Sequence, residues 1–146
     1  MSINDFDLPP DADEDDDPRA DWLYDSSYDW FESWLRHVKG GDRFSREQRW
    51  CAQWWRHDEV VIRIEELWKG WEAARLSEDP AALSGWWVYH LDAHWRHIVA
   101  EAGPLHLCTP QQHTQAVQRS LGAIPVPPGW FDPPSSEPDS SAEAVA

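Results

Sequence analysis

Cys51, His57, His94 and Cys108 carry the chemistry that this chain offers most plainly. Two thiolates and two imidazoles make a tetrahedral donor set suited to zinc. The spacings along the chain, six, thirty-seven and fourteen residues, match no finger, ribbon or knuckle, so residue type alone carries the pattern. His113, five residues beyond Cys108, stands as a reserve ligand. The competing reading makes both cysteines small core residues, since free Cys is often buried for packing alone. The histidines would then be hydrogen-bonded within an aromatic core. His90 and His94 have the i, i+4 spacing of helical zinc enzymes, with His97 one turn later. The residues between them, Leu91-Asp92-Ala93, lack the general-base Glu of HExxH, and the metalloprotease motif fails. A partly exposed, His-rich helix face is the plainer reading. Asp92 is a candidate to orient His94 if a metal is held. There is no GxSxG, no Gly-rich phosphate loop and no EF-hand loop, and no catalytic residue is assigned.

Helices must position these side chains. Ser27 precedes Trp30, Phe31, Trp34, Leu35 and Val38, a 3.6-residue pattern that Gly40-Gly41 ends. Ser45, with Gln48 three residues later, reads as a capping box. From there Trp50, Trp54, His57, Val61, Ile64, Trp68 and Trp71 recur at alternating spacings of four and three. This is one long helix, or two elements joined near His57, where Asp58 and Glu59 suit a first turn. The distinction bears on the metal. In one helix, Cys51 and His57 lie roughly 9 Å apart along the axis at ~1.5 Å per residue and point about 120° apart, so shared zinc requires a break. A third helix, capped by Ser84 and stopped by Gly103-Pro104, places Trp87, Leu91, His94, Ile98 and Ala102 on one face. Thr109-Pro110-Gln111-Gln112 reads as the start of a short fourth helix to Ser120. No alternating β-branched run signals a strand. The expected fold is all-α, a small domain of three to four helices.

Twelve tryptophans in 146 residues stand beside only three Tyr and four Phe. Their first role is core packing, with Trp68, Trp71 and Trp87 expected to meet Ile64, Leu67 and Leu91. The neighbours Trp54-Trp55 and Trp86-Trp87 cannot both face inward on a helix, so at least one of each pair belongs to the surface and suggests a partner.

The run Trp50-Cys51-Ala52-Gln53-Trp54-Trp55-Arg56-His57, followed by Leu67-Trp68, Trp71-Glu72 and Arg75, is distinctive. Trp86-Trp87, Asp92-Ala93-His94, Gly103-Pro104 and Cys108 complete it. Over residues 28–113 the chain resembles domain of unknown function 4913, a Trp-rich family of high-GC Gram-positive bacteria and of their phages and plasmids. Leu105 departs from the aromatic expected after Gly-Pro. The resemblance implies a habitat among mobile elements and no assigned activity.

Charge and composition limit the partners. The formal net charge is −15, which excludes a basic grip on nucleic acid. No run of 18 apolar residues is long enough to span a membrane. The N-terminus lacks a charged-then-apolar leader, and two cysteines make no disulfide framework, so the expected compartment is the cytoplasm. Nine acids and one base, Arg19, fall in residues 1–21, an acidic arm expected to be disordered and free of persistent contacts. Residues 22–122 form the expected Trp-rich helical domain, and 123–146 a Pro/Ser-rich tail carrying Trp130-Phe131. The arm is either a solubilising tail or a phosphate mimic for a basic protein surface. The leading expectation is a non-catalytic accessory or protein-interaction module, with structural zinc as its candidate stabiliser. The alternative is a zinc-dependent enzyme using the His94 region.

Overall fold

The computed structural model describes residues 17–41, 47–115 and 120–135. The chain divides into two units, Met1–Ala116 and Val117–Ala146. The first holds every helix among the described residues, and no strand occurs among them. No described helix is long and apolar enough to cross a membrane.

The first helix runs over residues 27–38. Ser26 caps it, its Oγ accepting the Asp29 N–H at 3.1 Å, as a short hydroxyl at this position does. The helix is α-helical over Ser27–Trp30 and Arg36–Val38 and π-helical over Phe31–Leu35. The second helix, Asp58–Leu76, starts with Asp58 and Glu59 in its first turn, opposite the positive end of the helix dipole. It buries Val60, Ile64, Leu67, Trp68, Trp71 and Glu72. The Trp stripe is therefore broken where the metal hypothesis requires it. Trp54–Arg56 form a 3₁₀ turn, His57 is extended at φ −112° and ψ 106°, and Cys51 lies outside any helix. Ser45, the expected cap upstream, lies outside the described residues.

The third helix, over residues 82–98, also carries a π segment, Trp86–Leu91. A π turn takes one more residue than an α turn, so inward positions fall five apart instead of four. This corrects the expected face. Trp86 and Leu91 point into the core, while Trp87 is only partly buried. The helix ends at Ile98, short of Gly103-Pro104, and Ala102 sits exposed in the turns that follow. Trp30 and Leu35, again five apart, occupy the same relation across the first π segment, both wholly buried.

These three helices close around indoles. Trp30 sits 5.6 Å from Trp34, centroid to centroid, and 6.1 Å from both Trp71 and Trp86. Trp86 approaches the second helix closely enough that its Nε1 donates to the Leu67 carbonyl at 3.1 Å. Gly70 permits this, because a Cβ there would stand 3.3 Å from the Trp86 ring. Trp68, Trp71, Ile64, Leu67 and Leu91 join the core as expected, with Trp86 taking the place foreseen for Trp87.

Glu72 is wholly buried, and its carboxylate is fully engaged. It accepts the backbone N–H of Leu23 and of Tyr24 at 3.0 Å and the Arg75 guanidinium at 3.1 Å. Arg75 also donates to the Asp21 carbonyl at 2.6 Å. The expectation that residues 1–21 make no persistent contact is thus corrected at its inner edge. Asp17 closes a turn on Arg19 N at 2.9 Å, and Arg19 stacks 5.1 Å from the Trp22 ring. The rest of the arm, residues 1–16, and the end of the tail, 136–146, lie outside the described residues.

The fourth helix is not formed over 109–115. Thr109 Oγ1 does accept the Gln112 N–H at 3.0 Å, but Thr109 N donates back to the Gln112 carbonyl at 2.9 Å and shuts the turn. The chain then reverses instead of coiling onward; residues 116–119 lie outside the described residues. The second unit, over 120–135, is extended around a turn in which Trp130 N donates to the Pro127 carbonyl at 3.3 Å. Gly129 takes φ +81° there, the left-handed value a type II turn requires after Pro128.

Candidate metal centre

Two loops in the first unit each present a Cys and a His. The loop before the second helix carries Cys51 and His57, and the 3₁₀ turn between them bends the chain so that both face the same point. The loop after the third helix carries Cys108 and His113, brought together by the Thr109–Gln112 turn. One donor atom from each of the four lies within 4.8 Å of all the others. Cys51 Sγ is 3.2 Å from His113 Nδ1, and Cys108 Sγ is 3.6 Å from His57 Nε2 and 3.7 Å from His113 Nδ1. Around tetrahedral zinc, bonds of ~2.3 Å to sulfur and ~2.0 Å to nitrogen put neighbouring S and N donors about 3.5 Å apart. The four side chains lie close enough to hold a metal ion, and their chemistry and spacing suit zinc.

The surroundings prepare the donors. Thr114 N–H donates to Cys108 Sγ at 3.4 Å and helps to fix the position of the sulfur. His113 Nε2 meets Gln115 Oε1 at 3.2 Å. As an N–H donor there, it leaves Nδ1 with the free lone pair facing the sulfurs, the usual support for a ligating imidazole. Burial lowers the pKa of His57, and the charges of His113 and Arg56 lower it further. The ring is held in the neutral form that binds metals. Burial raises the pKa of Cys51; a backbone hydrogen bond at Gln53 opposes the rise, and the adjoining Cys108 thiol adds to it. A bound cation reverses that preference by stabilising the thiolate directly.

Cys51, His57 and Cys108 thus converge, and His94 does not. His94 sits on the third helix with Nδ1 3.0 Å from Arg63 Nη1, and Arg63 is itself held by Glu59 at 3.0 Å. Asp92, the candidate to orient His94, pairs instead with Lys39 at 3.8 Å. The reserve residue His113 occupies the fourth position. The signal for it is local pairing. Cys51 and His57 are six apart and Cys108 and His113 five apart, so each loop is a short Cys/His hairpin.

Residues 24–128 match the domain of unknown function family DUF4913. The chain belongs to this family. No curated protein and no solved structure matches it. The stretches through which it resembles DUF4913 now separate by role. Trp50–His57 carries the candidate donors Cys51 and His57, while Trp54 is buried against Phe31 at 4.6 Å and Trp55 is exposed. In Leu67-Trp68 and Trp71-Glu72, three core residues accompany the carboxylate that ties down Leu23 and Tyr24. Leu105, the departure after Gly-Pro, is wholly buried, so the smaller side chain still fills a core position.

Proposed function

We propose that this DUF4913 member is a non-catalytic protein-interaction module whose two loops are clamped by structural zinc. The convergence of Cys51, His57, Cys108 and His113 carries this reading. Four protein ligands complete a tetrahedron and leave no position for a substrate or an activated water, the arrangement of structural rather than catalytic zinc. The clamp joins loops some fifty residues apart in a domain with a limited core, where metal-binding free energy becomes folding free energy. Trp55, Val88 and Tyr89 expose apolar surface suited to a partner protein. The net charge of −15 disfavours direct contact with phosphates, and the acidic arm suits a basic protein surface. Cytoplasmic residence and an origin in phages or plasmids complete the proposal.

Metal analysis of the purified chain, with X-ray absorption at the zinc edge, tests the clamp. One zinc per chain with two sulfur and two nitrogen neighbours is expected. A site with three protein ligands and a bound water would overturn the structural role and favour an enzyme. The partner itself is sought by affinity capture from the native host, with the Trp55→Ala and Tyr89→Ala variants expected to lose it.

A further inference from the structure

The two sulfurs of the metal centre have a second chemistry open to them. Cys51 and Cys108 are the only cysteines in the chain, and no disulfide joins them. Their sulfurs lie within 4.8 Å of each other, and both approach His113 Nδ1, at 3.2 and 3.7 Å. Cys51 and Cys108 are both buried, and the residue Cys108 borders a surface cleft of about 260 Å³ together with Trp50, His106, Leu107 and Thr109. The cleft borders Cys108 and not Cys51, so a small solute held there lies nearer to Cys108.

We propose that Cys51 and Cys108 form a hydroperoxide-reactive pair, in which oxidation joins them as an intramolecular disulfide and expels the metal. The inference rests on the zinc clamp. In the first step the Cys108 thiolate attacks the distal oxygen of the peroxide. The S–O bond forms, the O–O bond breaks, and one proton converts the leaving oxygen to an alcohol or water. In the second step the Cys51 thiolate attacks the sulfenic sulfur, the S–S bond forms, and the hydroxide leaves as water with a second proton. Two thiolates lose two electrons and the peroxide gains them. The zinc ion departs unreduced, because the disulfide removes both sulfur donors and two imidazoles hold it weakly. A sulfenic acid with a thiol this near condenses faster than it is oxidised further. The sulfurs need only close to about 2.05 Å. The new bond bridges the same two loops that the metal bridged, so the fold keeps its tether while its metal is lost.

The full-length, zinc-loaded protein is treated with hydrogen peroxide after its metal content is measured. Released zinc is followed with a chromogenic chelator, and thiols are counted in parallel. One zinc should appear for each pair of thiols lost, and the reduced and oxidised masses should differ by two hydrogens. Tryptic mapping should join peptides 50–56 and 97–119 through a disulfide, and dithiothreitol with added zinc should restore the starting state. Cys51→Ser should leave a dimedone-reactive sulfenic acid on Cys108; the map of the wild-type chain decides the matter even if that variant does not fold. A chain that holds no zinc at the outset sinks the clamp, and the metal-release step with it. A chain that holds zinc but yields sulfinic acid, a disulfide between two chains, or intact thiols under excess peroxide overturns the reactive pair alone.

Discussion

His113 and His94 divide the histidine chemistry between them, and the division is testable one residue at a time. His113→Ala removes a donor 3.2 Å from Cys51 Sγ and should reduce zinc affinity by 100-fold or more, on the order of what even supporting residues contribute. His94→Ala should leave one zinc per chain, because His94 binds Arg63 instead. Competition with a chelator of known affinity reads both. His94 has a separate signature in acid. Burial lowers its pKa most, with Arg63, His90 and His97 adding their charges. The fold therefore prefers the neutral ring. Its contribution is complete above the ordinary value near 6.5 and is lost as the pH falls through the depressed one. Urea midpoints should fall between pH 7 and pH 5 more steeply for the parent than for His94→Gln; equal slopes would show that the half-buried ring carries no such preference. Residue types alone pointed to Cys51, His57 and Cys108, which lie together, as candidate donors. They did not decide between His94 and His113, because that choice depends on the direction in which a loop returns, which a turn at Thr109–Gln112 sets.

At the level of elements, the π segments decide which indole enters the core. Trp86→Ala removes a buried ring and the bond to the Leu67 carbonyl and should cost about 3–5 kcal/mol. Trp87→Ala, at a partly buried site, should cost clearly less. Denaturant unfolding of the two variants measures the difference, and equal losses would place the helix face wrongly. Gly70→Leu should also destabilise, although leucine favours helix by about 1 kcal/mol over glycine. Its side chain would enter the space that Trp86 fills. The helices and their order were readable from apolar periodicity, and Asp58-Glu59 marked the start of the second one correctly. The inward face of the third was not readable, since a 3.6-residue pattern assumes an α-helix and Trp86–Leu91 departs from it. Over the described residues 109–115 the fourth helix is absent for a related reason. Thr109 offers the bond of a helix cap, but the same bond closes an isolated turn, and only the fold chooses.

At the scale of the first unit, two clusters join described segments far apart in sequence: the four Cys/His side chains and the Glu72 carboxylate. Removing metal with a chelator should lower the melting temperature by about ten degrees or more, given roughly 4 kcal/mol for a ligand at a thousandfold its dissociation constant. An unchanged transition would mean that the loops need no ion. Glu72→Ala should cost about 3 kcal/mol or more by leaving the Leu23 and Tyr24 N–H groups and Arg75 without their acceptor. Deleting residues 1–24 should destabilise the domain to a similar degree, which calorimetry would show. The Glu72 tie is not visible in composition, because a buried carboxylate on a helix looks like any surface acid until its partners are placed. The indole cluster has an optical outcome. Trp34 lies within 6 Å of Trp30, Trp71, Trp86 and Trp87, so absorbed ultraviolet light is shared among rings rather than kept by one. Coupled transition dipoles in such a cluster produce circular-dichroism bands that overlap the helix signal. The spectrum of this protein therefore reports the mutual geometry of its tryptophans as much as its helix content, and a single substitution at Trp34 should reshape it without unwinding a turn.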